Sequence, residues 1–340
     1  MKLHPLLFEP EILSFLFLSI NFFGSIIVCF ILRTWPLSIF FTCLYILLMF
    51  FVNHGLTCGR HYLPIKKIPN QTVIITGATS GIGRVCARRL AQLGAKVIIG
   101  IRGQERAEKV AEEISKESLG GTVIGYDLDL SSLENVKNFA ERIDSVDILI
   151  NNAGSLYETY SVTIDGIEKQ FATNCVGHFY LTQLLLPRLK HGRVVNVSSI
   201  AHHLVRPADL DYSLRQFKDK YHGSRVYALS KLAQIYHASE LTRRYGVKAY
   251  SLHPGTIIST NLQRNRPFFR RVAFQILSMI GKTVEQGSMT TLFCALSDDA
   301  KPGCYHSDCQ VRRSSQLAMD TRRAEQCWNE TERLIKEKAK

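Results

Sequence analysis

The sequence is poor in proline and in acidic residues, and it has no internal repeat or low-complexity tract. Ten prolines and 22 glycines among 340 residues exclude collagen-like and proline-rich chains. Charged residues make up 21% and hydrophobic residues 46%, which excludes wholesale disorder. Against 29 Asp and Glu stand 42 Lys and Arg, a formal net charge of +13. This positive charge fits three kinds of partner, namely nucleic acid, an anionic membrane or a phosphate-bearing ligand.

Two further absences concern nucleic-acid motifs and cysteine pairing. No recognised nucleic-acid-binding motif accompanies the basic charge, so we do not expect nucleic acid as a partner. The nine cysteines are odd in number and lack the spacing of a disulfide framework, which indicates reduced thiols in a cytosolic domain. Cys304 and Cys309 have no matching second pair, so we expect no metal site.

Charge is also absent from two stretches near the N-terminus. Residues 12–32 and 36–52 contain no charged side chain, and Arg33 lies between them. A helix needs about 20 apolar residues to cross a bilayer, so the first stretch qualifies and the second is borderline. A cleavable signal peptide is the rival interpretation, but its apolar region usually has only about 7–15 residues. We expect residues 1–52 to form a membrane anchor of one or two transmembrane helices.

The charges that follow the anchor predict its orientation. Arg60, Lys66 and Lys67 come after it without an intervening acid, and positively charged flanks stay in the cytoplasm. We therefore expect the domain after the anchor to face the cytoplasm and membrane lipid to be a partner. The membrane that we expect is that of the endoplasmic reticulum. Residues 53–70 are a juxtamembrane linker in this interpretation. The sequence leaves a homodimer open.

Strand and helix patterns alternate after the linker. Short β-branched runs such as Thr72–Thr76 and Arg193–Val197 predict buried strands. Their alternation with helices is typical of a parallel sheet covered on both faces. We predict an α/β, doubly wound, Rossmann-type domain over residues 71–305 and a polar, helical extension over residues 306–340. The predicted helices include Gly83–Leu93, Arg106–Ser118, Leu133–Arg142, Gly166–Leu189, Ser224–Tyr245 and Thr321–Lys338.

A glycine-rich turn follows the first predicted strand. It reads Thr76-Gly77-Ala78-Thr79-Ser80-Gly81-Ile82-Gly83 and leads directly into a predicted helix. Glycines at such a junction let the backbone approach a pyrophosphate, which the N-terminal end of the helix attracts. The turn therefore predicts a dinucleotide site.

Tyr227 and Lys231 are four residues apart on a predicted helix, so they share one face. A phenol has a pKa of about 10, which is too high for acid–base catalysis at neutral pH. A neighbouring ammonium favours the phenolate and lowers that pKa. Ser199, at the end of a predicted strand, would then donate a hydrogen bond to a substrate oxygen.

These motifs together resemble the short-chain dehydrogenases/reductases. The glycine turn, Asn151-Asn152-Ala153-Gly154, the Tyr227/Lys231 pair and Pro254-Gly255 follow the family order. The resemblance implies catalytic roles for four residues, Asn174, Ser199, Tyr227 and Lys231, with Ser198 as the competing serine. The cofactor contacts that it and the motifs imply are Gly77, Ser80, Gly81, Ile82, Gly83, Arg102, Asp129, Asn151, Ala153, Gly154, Tyr227, Lys231, Pro254, Gly255 and Thr256.

The second predicted strand indicates the form of the cofactor. It ends in Gly100-Ile101-Arg102, with no acid before Glu105. NAD-binding folds place an acid here for the ribose hydroxyls, whereas Arg102 suits a 2′-phosphate, so we expect NADP(H). Arg84 either adds to that site or is a solvated helix residue. Asp127 is the register alternative to Asp129.

A narrower resemblance is to the membrane-bound retinol dehydrogenases, which reduce retinal with NADPH. It rests on Asn196–His203, Tyr250–Thr256 and Cys327-Trp328-Asn329. It implies an NADPH-dependent oxidoreductase that interconverts a lipophilic aldehyde or ketone and its alcohol, with retinal favoured. The alternatives are a steroid or other lipid carbonyl reductase and a non-catalytic NADPH-binding membrane scaffold.

Two other segments have open interpretations. His202 and His203 either contact substrate or are structural histidines, and the structural role is favoured. The basic, aromatic segment 264–281 either admits substrate from the bilayer or packs on its own domain as a lid.

Overall fold

The computed structural model describes residues 66–119, 121–189, 192–212, 221–255 and 282–339, together with Phe40, Leu44, Tyr62 and Pro64. The rest of the predicted anchor, most of the predicted linker, Thr256 and the segment 264–281 lie outside the described residues. Among the residues described, no helix combines the length and the apolar character needed to cross a bilayer.

One sheet organises the described chain. Its eight strands are β1 Thr72–Thr76, β2 Lys96–Ile101, β3 Val123–Asp127, β4 Ile148–Asn151, β5 Arg193–Val197, β6 Lys248–His253, β7 Tyr305–Ser307 and β8 Gln310–Val311. They lie in the order β3-β2-β1-β4-β5-β6-β7-β8. Neighbours pair in parallel from β3 through to β7, and only β8 pairs antiparallel, with β7.

Helices cover both faces of the sheet. They are α1 Gly81–Gln92, α2 Gln104–Glu117, α3 Leu133–Glu141, α4 Gly177–Leu185, α5 Gly223–Tyr245, α6 Val284–Leu296 and α7 Thr321–Lys338. Ile74 of β1 belongs to the buried cluster that also holds side chains of α3, α4, α5 and α7, whereas its neighbours Val73 and Ile75 belong to the cluster that holds side chains of α1, α2 and α6. This alternation is the period of two of a strand that is buried on both faces. The predicted Rossmann-type α/β class is confirmed.

The strand order reverses direction at the centre of the sheet. The chain runs outward from β1 to β3 and then crosses back to place β4 on the other side of β1. The loops that follow β1 and β4 therefore separate at the carboxyl edge of the sheet and leave a crevice between them. In this fold type the crevice is where ligands bind.

The C-terminal part of the chain contributes more to the sheet than its polar sequence indicates. Tyr305–Ser307 forms the buried strand β7, although its sequence has no apolar run that would predict a strand. His306 is fully buried there, where its Nε2 accepts from the Lys301 amide at 3.2 Å. Because hydrogen bonds satisfy the imidazole, a polar strand can be buried without the usual desolvation cost.

Helix α7 packs on the domain through Trp328. The indole is 2% exposed and lies edge-on to the Phe179 ring of α4, with 4.6 Å between ring centroids. The guanidinium of Arg244 also contacts the indole and lies 5.0 Å from the centroid of the Trp328 ring. The helix predicted at Thr321–Lys338 thus forms at its predicted bounds and belongs to the core formed by α4 and α5.

Replacing Trp328 with alanine tests this packing. Loss of a buried aromatic side chain costs about 3–5 kcal/mol, so Trp328→Ala should lower the unfolding temperature by several degrees or more. Thermal unfolding followed by circular dichroism measures the change, with the exposed Met319→Ala as the matched control. If both variants unfold at the wild-type temperature, α7 does not contribute to the core.

Candidate active site

A cleft of about 640 Å³ lies at the carboxyl edge of the sheet, over the reversal of strand order. The loops after β1, β2, β3, β4, β5 and β6 and the start of α5 form its described walls. The predicted residues that line it are Gly77, Ser80, Gly81, Ile82, Gly83, Arg102, Asp129, Ala153, Gly154, Ser199, Tyr227, Lys231, Pro254 and Gly255.

The glycine turn after β1 forms a close-fitting cradle. Gly77 has φ of +72°, and a Cβ there would lie 2.8 Å from the Ala153 Cα. A Cβ on Gly83 would lie 2.5 Å from the Asn152 Nδ2 and 2.6 Å from the Gly77 carbonyl oxygen. Only glycine fits these two positions. Helix α1 carries no acidic residue in its first turn, so its positive end stays available to an anion.

Asn152 joins the two central loops. Its Nδ2 donates to the Thr76 carbonyl at 2.8 Å and to the Gly77 carbonyl at 3.2 Å. In return, the Thr76 hydroxyl accepts from the amides of Asn152 at 3.0 Å and Ala153 at 2.9 Å. Asn152 is the second residue of the Asn-Asn-Ala-Gly motif, but the sequence alone does not distinguish its role from that of Asn151.

Asn151 faces the interior behind the cleft. Its side chain is fully buried, and its Nδ2 donates to the Thr182 hydroxyl at 3.1 Å and to the Asn196 Oδ1 at 2.9 Å. Asn152, one residue later, lines the cleft instead. A direct cofactor contact by Asn151 stays a prediction.

Two arginines line the cleft beyond β2. Arg102 is exposed, and Arg106 of α2, which the sequence analysis did not identify, lies in the same wall. Arg84 instead forms ion pairs with Glu113 at 3.0 Å and Glu117 at 2.6 Å. Its charge is therefore directed toward α2, and the cationic wall consists of Arg102 and Arg106.

The two aspartates after β3 have separate environments. Asp127 accepts from the Gly103 amide at 2.6 Å and from the Asn135 Nδ2 at 2.8 Å, and so holds the β2–α2 turn in place. Asp129 lines the cleft, and its Oδ1 accepts from the amide and hydroxyl of Ser131. Of the two registers, the one with Asp129 places its carboxylate in the cleft wall.

Lys231 lies buried beside Tyr227 on α5. Its Nζ donates to the Val197 carbonyl at 2.9 Å and lies 5.6 Å from the centroid of the Tyr227 ring. Burial lowers the pKa of Lys231 to about 8. At neutral pH the side chain therefore keeps its proton, and β5 fixes the position of its charge next to the phenol.

The two serines after β5 point in different directions. Ser198 is buried, and its hydroxyl donates to the Lys231 carbonyl at 2.6 Å. Ser199 is half-buried, and its Oγ accepts from the Ala201 amide at 3.2 Å. The Ser199 hydroxyl hydrogen is thus available to a ligand in the cleft, whereas that of Ser198 is engaged by the helix backbone.

Asn174 lies directly behind the cleft, in the π-helical segment Ala172–Val176 that precedes α4. Its side chain binds the Ser155 backbone through both atoms, with distances of 2.8 and 2.9 Å. A Cβ on Gly154 would lie 3.4 Å from the Lys231 Nζ and 3.9 Å from the Asn174 Oδ1. The missing side chain at Gly154 leaves this approach open. Such π-helical insertions are frequent at functional sites.

His178 connects the glycine turn to Asn174. The Thr76 hydroxyl already accepts two amides, so its hydrogen is directed to the His178 Nε2, 2.8 Å away. The proton of the neutral ring then lies on Nδ1, which donates to the Asn174 carbonyl at 3.2 Å. Gln234 of α5 donates to the same carbonyl. Neither His178 nor Gln234 carried a signal in the sequence.

His202 has a structural role. Its Nε2 accepts from the Ser315 amide at 3.2 Å, so its Nδ1 carries the proton and donates to the Ser199 carbonyl at 2.7 Å. The ring is fully buried, and burial lowers the pKa of His202 to about 3. The imidazole therefore holds the backbone of Ser199 against the C-terminal segment, as the favoured interpretation expected.

Comparisons with known proteins identify similar chains. The family profile described as short chain dehydrogenase matches residues 71–214. Retinol dehydrogenase 12 of Mus musculus is 40% identical over 277 residues, which cover 77% of this chain and 85% of the relative. Retinol dehydrogenase 11 of Homo sapiens is 39% identical over 275 residues, with 77% and 85% covered.

Two solved structures are also similar. A crystal structure of an uncharacterised protein from Mycobacterium Paratuberculosis is 35% identical, with a TM-score of 0.67, and the match covers 82% of this chain and 98% of that one. A blue fluorescent protein from a metagenomic library, solved with NADPH, is 23% identical, with a TM-score of 0.55 and coverage of 71% and 96%. The second similarity supports the fold alone.

Three buried histidines should make the protein sensitive to acid. Burial lowers the pKa of His178, His202 and His237 to about 3, from an ordinary value of 6.5. The unfolded chain therefore binds more protons than the folded one between these values. The stabilisation is complete above pH 6.5 and is lost as the pH falls, by up to about 1.4 kcal/mol per pH unit for each histidine.

Urea unfolding between pH 7 and pH 5 measures this effect, because most carboxylates titrate below that interval. The free energy of unfolding should fall with a slope that corresponds to an uptake of two or three protons. A free energy that stays constant over the interval would show that these imidazoles are not neutral and buried.

Proposed function

The chain belongs to the short-chain dehydrogenase/reductase family, and from this premise we propose that it is an NADPH-dependent reductase of lipophilic aldehydes or ketones. Its identity to retinol dehydrogenases places it among oxidoreductases that act on alcohol and carbonyl groups. The observation that carries the proposal is the cationic Lys231 held beside Tyr227, with the Ser199 hydroxyl facing the same cleft.

The cleft has the shape and charge for a phosphorylated dinucleotide. Gly77 and Gly83 let the turn pack directly against Ala153 and Asn152, where a Cβ would clash, and this packing presents the start of α1 to the cleft, which suits a pyrophosphate. Arg102 and Arg106 favour a 2′-phosphate, which a carboxylate at this point would repel. When it is bound, NADPH supplies the hydride that adds to the carbonyl carbon.

The remaining cofactor contacts follow from the walls of the cleft. In our proposal Asp129 lies at the adenine side, and Lys231 holds the nicotinamide ribose. The others that we assign to the cofactor are Ser80, Gly81, Ile82, Ala153, Gly154, Tyr227, Pro254, Gly255 and Thr256.

The protein supplies the proton. Tyr227 donates it to the carbonyl oxygen while the Ser199 hydroxyl donates a hydrogen bond to the same oxygen. The Lys231 ammonium, charged below pH about 8, stabilises the phenolate that Tyr227 becomes. Asn174 lies across Gly154 from Lys231, and in our proposal it orders a water that links the lysine to solvent.

Retinal is the substrate that we favour. The support is the identity to proteins named retinol dehydrogenases and the apolar side chains of Leu156, Ala201 and Leu204 in the cleft wall. A steroid or another lipid carbonyl is the near alternative. A non-catalytic NADPH-binding scaffold would have no use for the arrangement of Ser199, Tyr227 and Lys231.

We also propose that residues 1–52 anchor the enzyme in the endoplasmic reticulum membrane, with the domain in the cytoplasm. The uncharged stretches 12–32 and 36–52 and the basic flank after them support this topology. A lipophilic substrate concentrates in the bilayer, so an anchor would keep the cleft close to its supply.

The decisive experiment assays membranes that carry the full chain. We expect NADPH to be oxidised with retinal, and we compare a steroid ketone and a short aldehyde. Tyr227→Phe and Ser199→Ala should each lower kcat by about 10²–10⁴-fold, because each removes a donor to the reacting oxygen. Ser198→Ala is the matched control and should retain most of the activity. Equal turnover by the wild type and Tyr227→Phe would refute the mechanism.

Cofactor preference gives an independent prediction. A charge-assisted hydrogen bond is worth about 1.5–3 kcal/mol, so Arg102→Ala should raise the KM for NADPH at least about tenfold. The KM for NADH, which has no 2′-phosphate, should change little. Lys109→Ala, on the exposed side of α2 and away from the cleft, is the control. An equal change in both KM values would show that Arg102 does not recognise the phosphate.

A further inference from the structure

Among the described residues that line the cleft, Lys169 is a cation that the proposed reaction does not use. Lys169 lies in the helical turn Lys169–Phe171, is half-buried and lines the cleft. Its Nζ lies 5.4 Å from the ring centroid of Tyr157, which lines the cleft as well. A cation over an aromatic face gains about 0.5–1 kcal/mol, so the ring favours the position of the ammonium at the cleft wall.

Gln170 places this wall at the Tyr227 end of the cleft. Its Oε1 accepts from the Tyr157 amide at 2.6 Å, and its Nε2 donates to the Gly223 carbonyl at 2.7 Å. A Cβ on Gly223 would lie 1.9 Å from the Tyr157 carbonyl oxygen, so the two backbones are in direct contact. Since Gly223 begins α5 one turn before Tyr227, the Tyr157 wall lies next to the catalytic helix.

The carboxylate of the preceding residue, Glu168, is engaged by other groups. The oxygens of Glu168 accept from the amides of Gln170 and Phe171 and from the Tyr221 hydroxyl, at 2.7–2.9 Å. Among the described residues that line the cleft, Asp129 is the only carboxylate, and it follows β3 on the Arg102 side. The ammonium therefore remains available to an acidic group of a ligand.

The other side chains at this end form an amphipathic surface. Leu156, Ala201 and Leu204 are apolar, whereas Thr173 and Ser224 offer hydroxyls. Thr173 lies one turn after Lys169, and its hydroxyl donates to the Lys169 carbonyl at 2.8 Å. A wholly apolar substrate would leave the ammonium and the Ser224 hydroxyl without partners as it displaced their water, which costs binding free energy.

We propose that Lys169 can bind an anionic group at the end of a substrate remote from the carbonyl, so that the site accepts aliphatic aldehydes ending in a carboxylate in addition to apolar carbonyl compounds. This inference rests on the proposed function, because it assumes that the cleft reduces a carbonyl beside Tyr227. The carboxylate of the substrate would exchange its bound water for an ion pair with the Lys169 ammonium, while the aliphatic part of the substrate contacts Leu156 and Leu204. A methyl group at the same point would displace water without replacing the hydrogen bonds.

The test compares straight-chain aldehydes of equal length that end in a carboxylate, a hydroxyl or a methyl group. A series of lengths is assayed with NADPH and full-length protein in membranes. At the length that spans the cleft, the wild type should show a kcat/KM about five- to tenfold higher for the carboxylate than for the methyl compound. The ratio is measured within each variant, so a general loss of activity does not affect it.

The variants assign the preference to one side chain. Lys169→Met should reduce the carboxylate-to-methyl ratio to about one or below, and Lys169→Arg should keep most of it. Lys137→Met, an exposed lysine of α3 outside the cleft, should show the wild-type ratio.

Three outcomes would overturn the inference: equal use of all three compounds by the wild type, equal use of the hydroxyl and carboxylate compounds, or a carboxylate preference that persists in Lys169→Met. Reduction of the methyl compound in any of these cases leaves the proposed function intact. If the wild type reduces neither these aldehydes nor retinal, the proposed function and this inference both fail.

Discussion

The site depends on the hydrogen bonds that the Thr76 hydroxyl makes. The hydroxyl accepts the amides of Asn152 and Ala153 from the loop after β4, and its hydrogen is directed to His178, four residues after Asn174 in the helix. One oxygen at the end of β1 therefore fixes three parts of the cleft, the glycine turn, the loop after β4 and the helix behind them. The positions of the glycine turn and of the Asn174 carbonyl relative to each other therefore depend on the hydrogen bonds of this oxygen.

Most of the fold could be predicted because it depends on local periodicity. Thr72–Thr76 and Arg193–Val197 form at their predicted bounds, since β-branched runs that are buried on both faces have no competing pattern. Strand Tyr305–Ser307 escaped prediction, because a three-residue strand containing buried His306 has no apolar signal. Helix Val284–Leu296 was also missed, although Thr283 and Gln286 form the capping box that begins it.

The site divides along a similar line. Tyr227, Lys231 and the glycines could be found because fixed spacing on one element places their functional groups together. Asn152 and Gln234 could not, because their roles depend on contacts between elements far apart in sequence. Lys169 is the clearest case. A lysine near the start of a predicted helix gives no indication of a binding role. The role that we propose depends on its contact with the Tyr157 ring and on Gln170, which joins the Tyr157 segment to α5.

Lys231 shows what the site costs the fold. The pKa of its buried ammonium is lowered by desolvation, and no carboxylate contributes to offset it. The Val197 carbonyl is the one acceptor described for it, and an ammonium can donate three hydrogen bonds. An incompletely solvated buried cation destabilises a folded domain, but its field acts most strongly where water is excluded. The cation that weakens the core is therefore also the group best placed to stabilise negative charge on Tyr227, and a solvated lysine at that point would do neither.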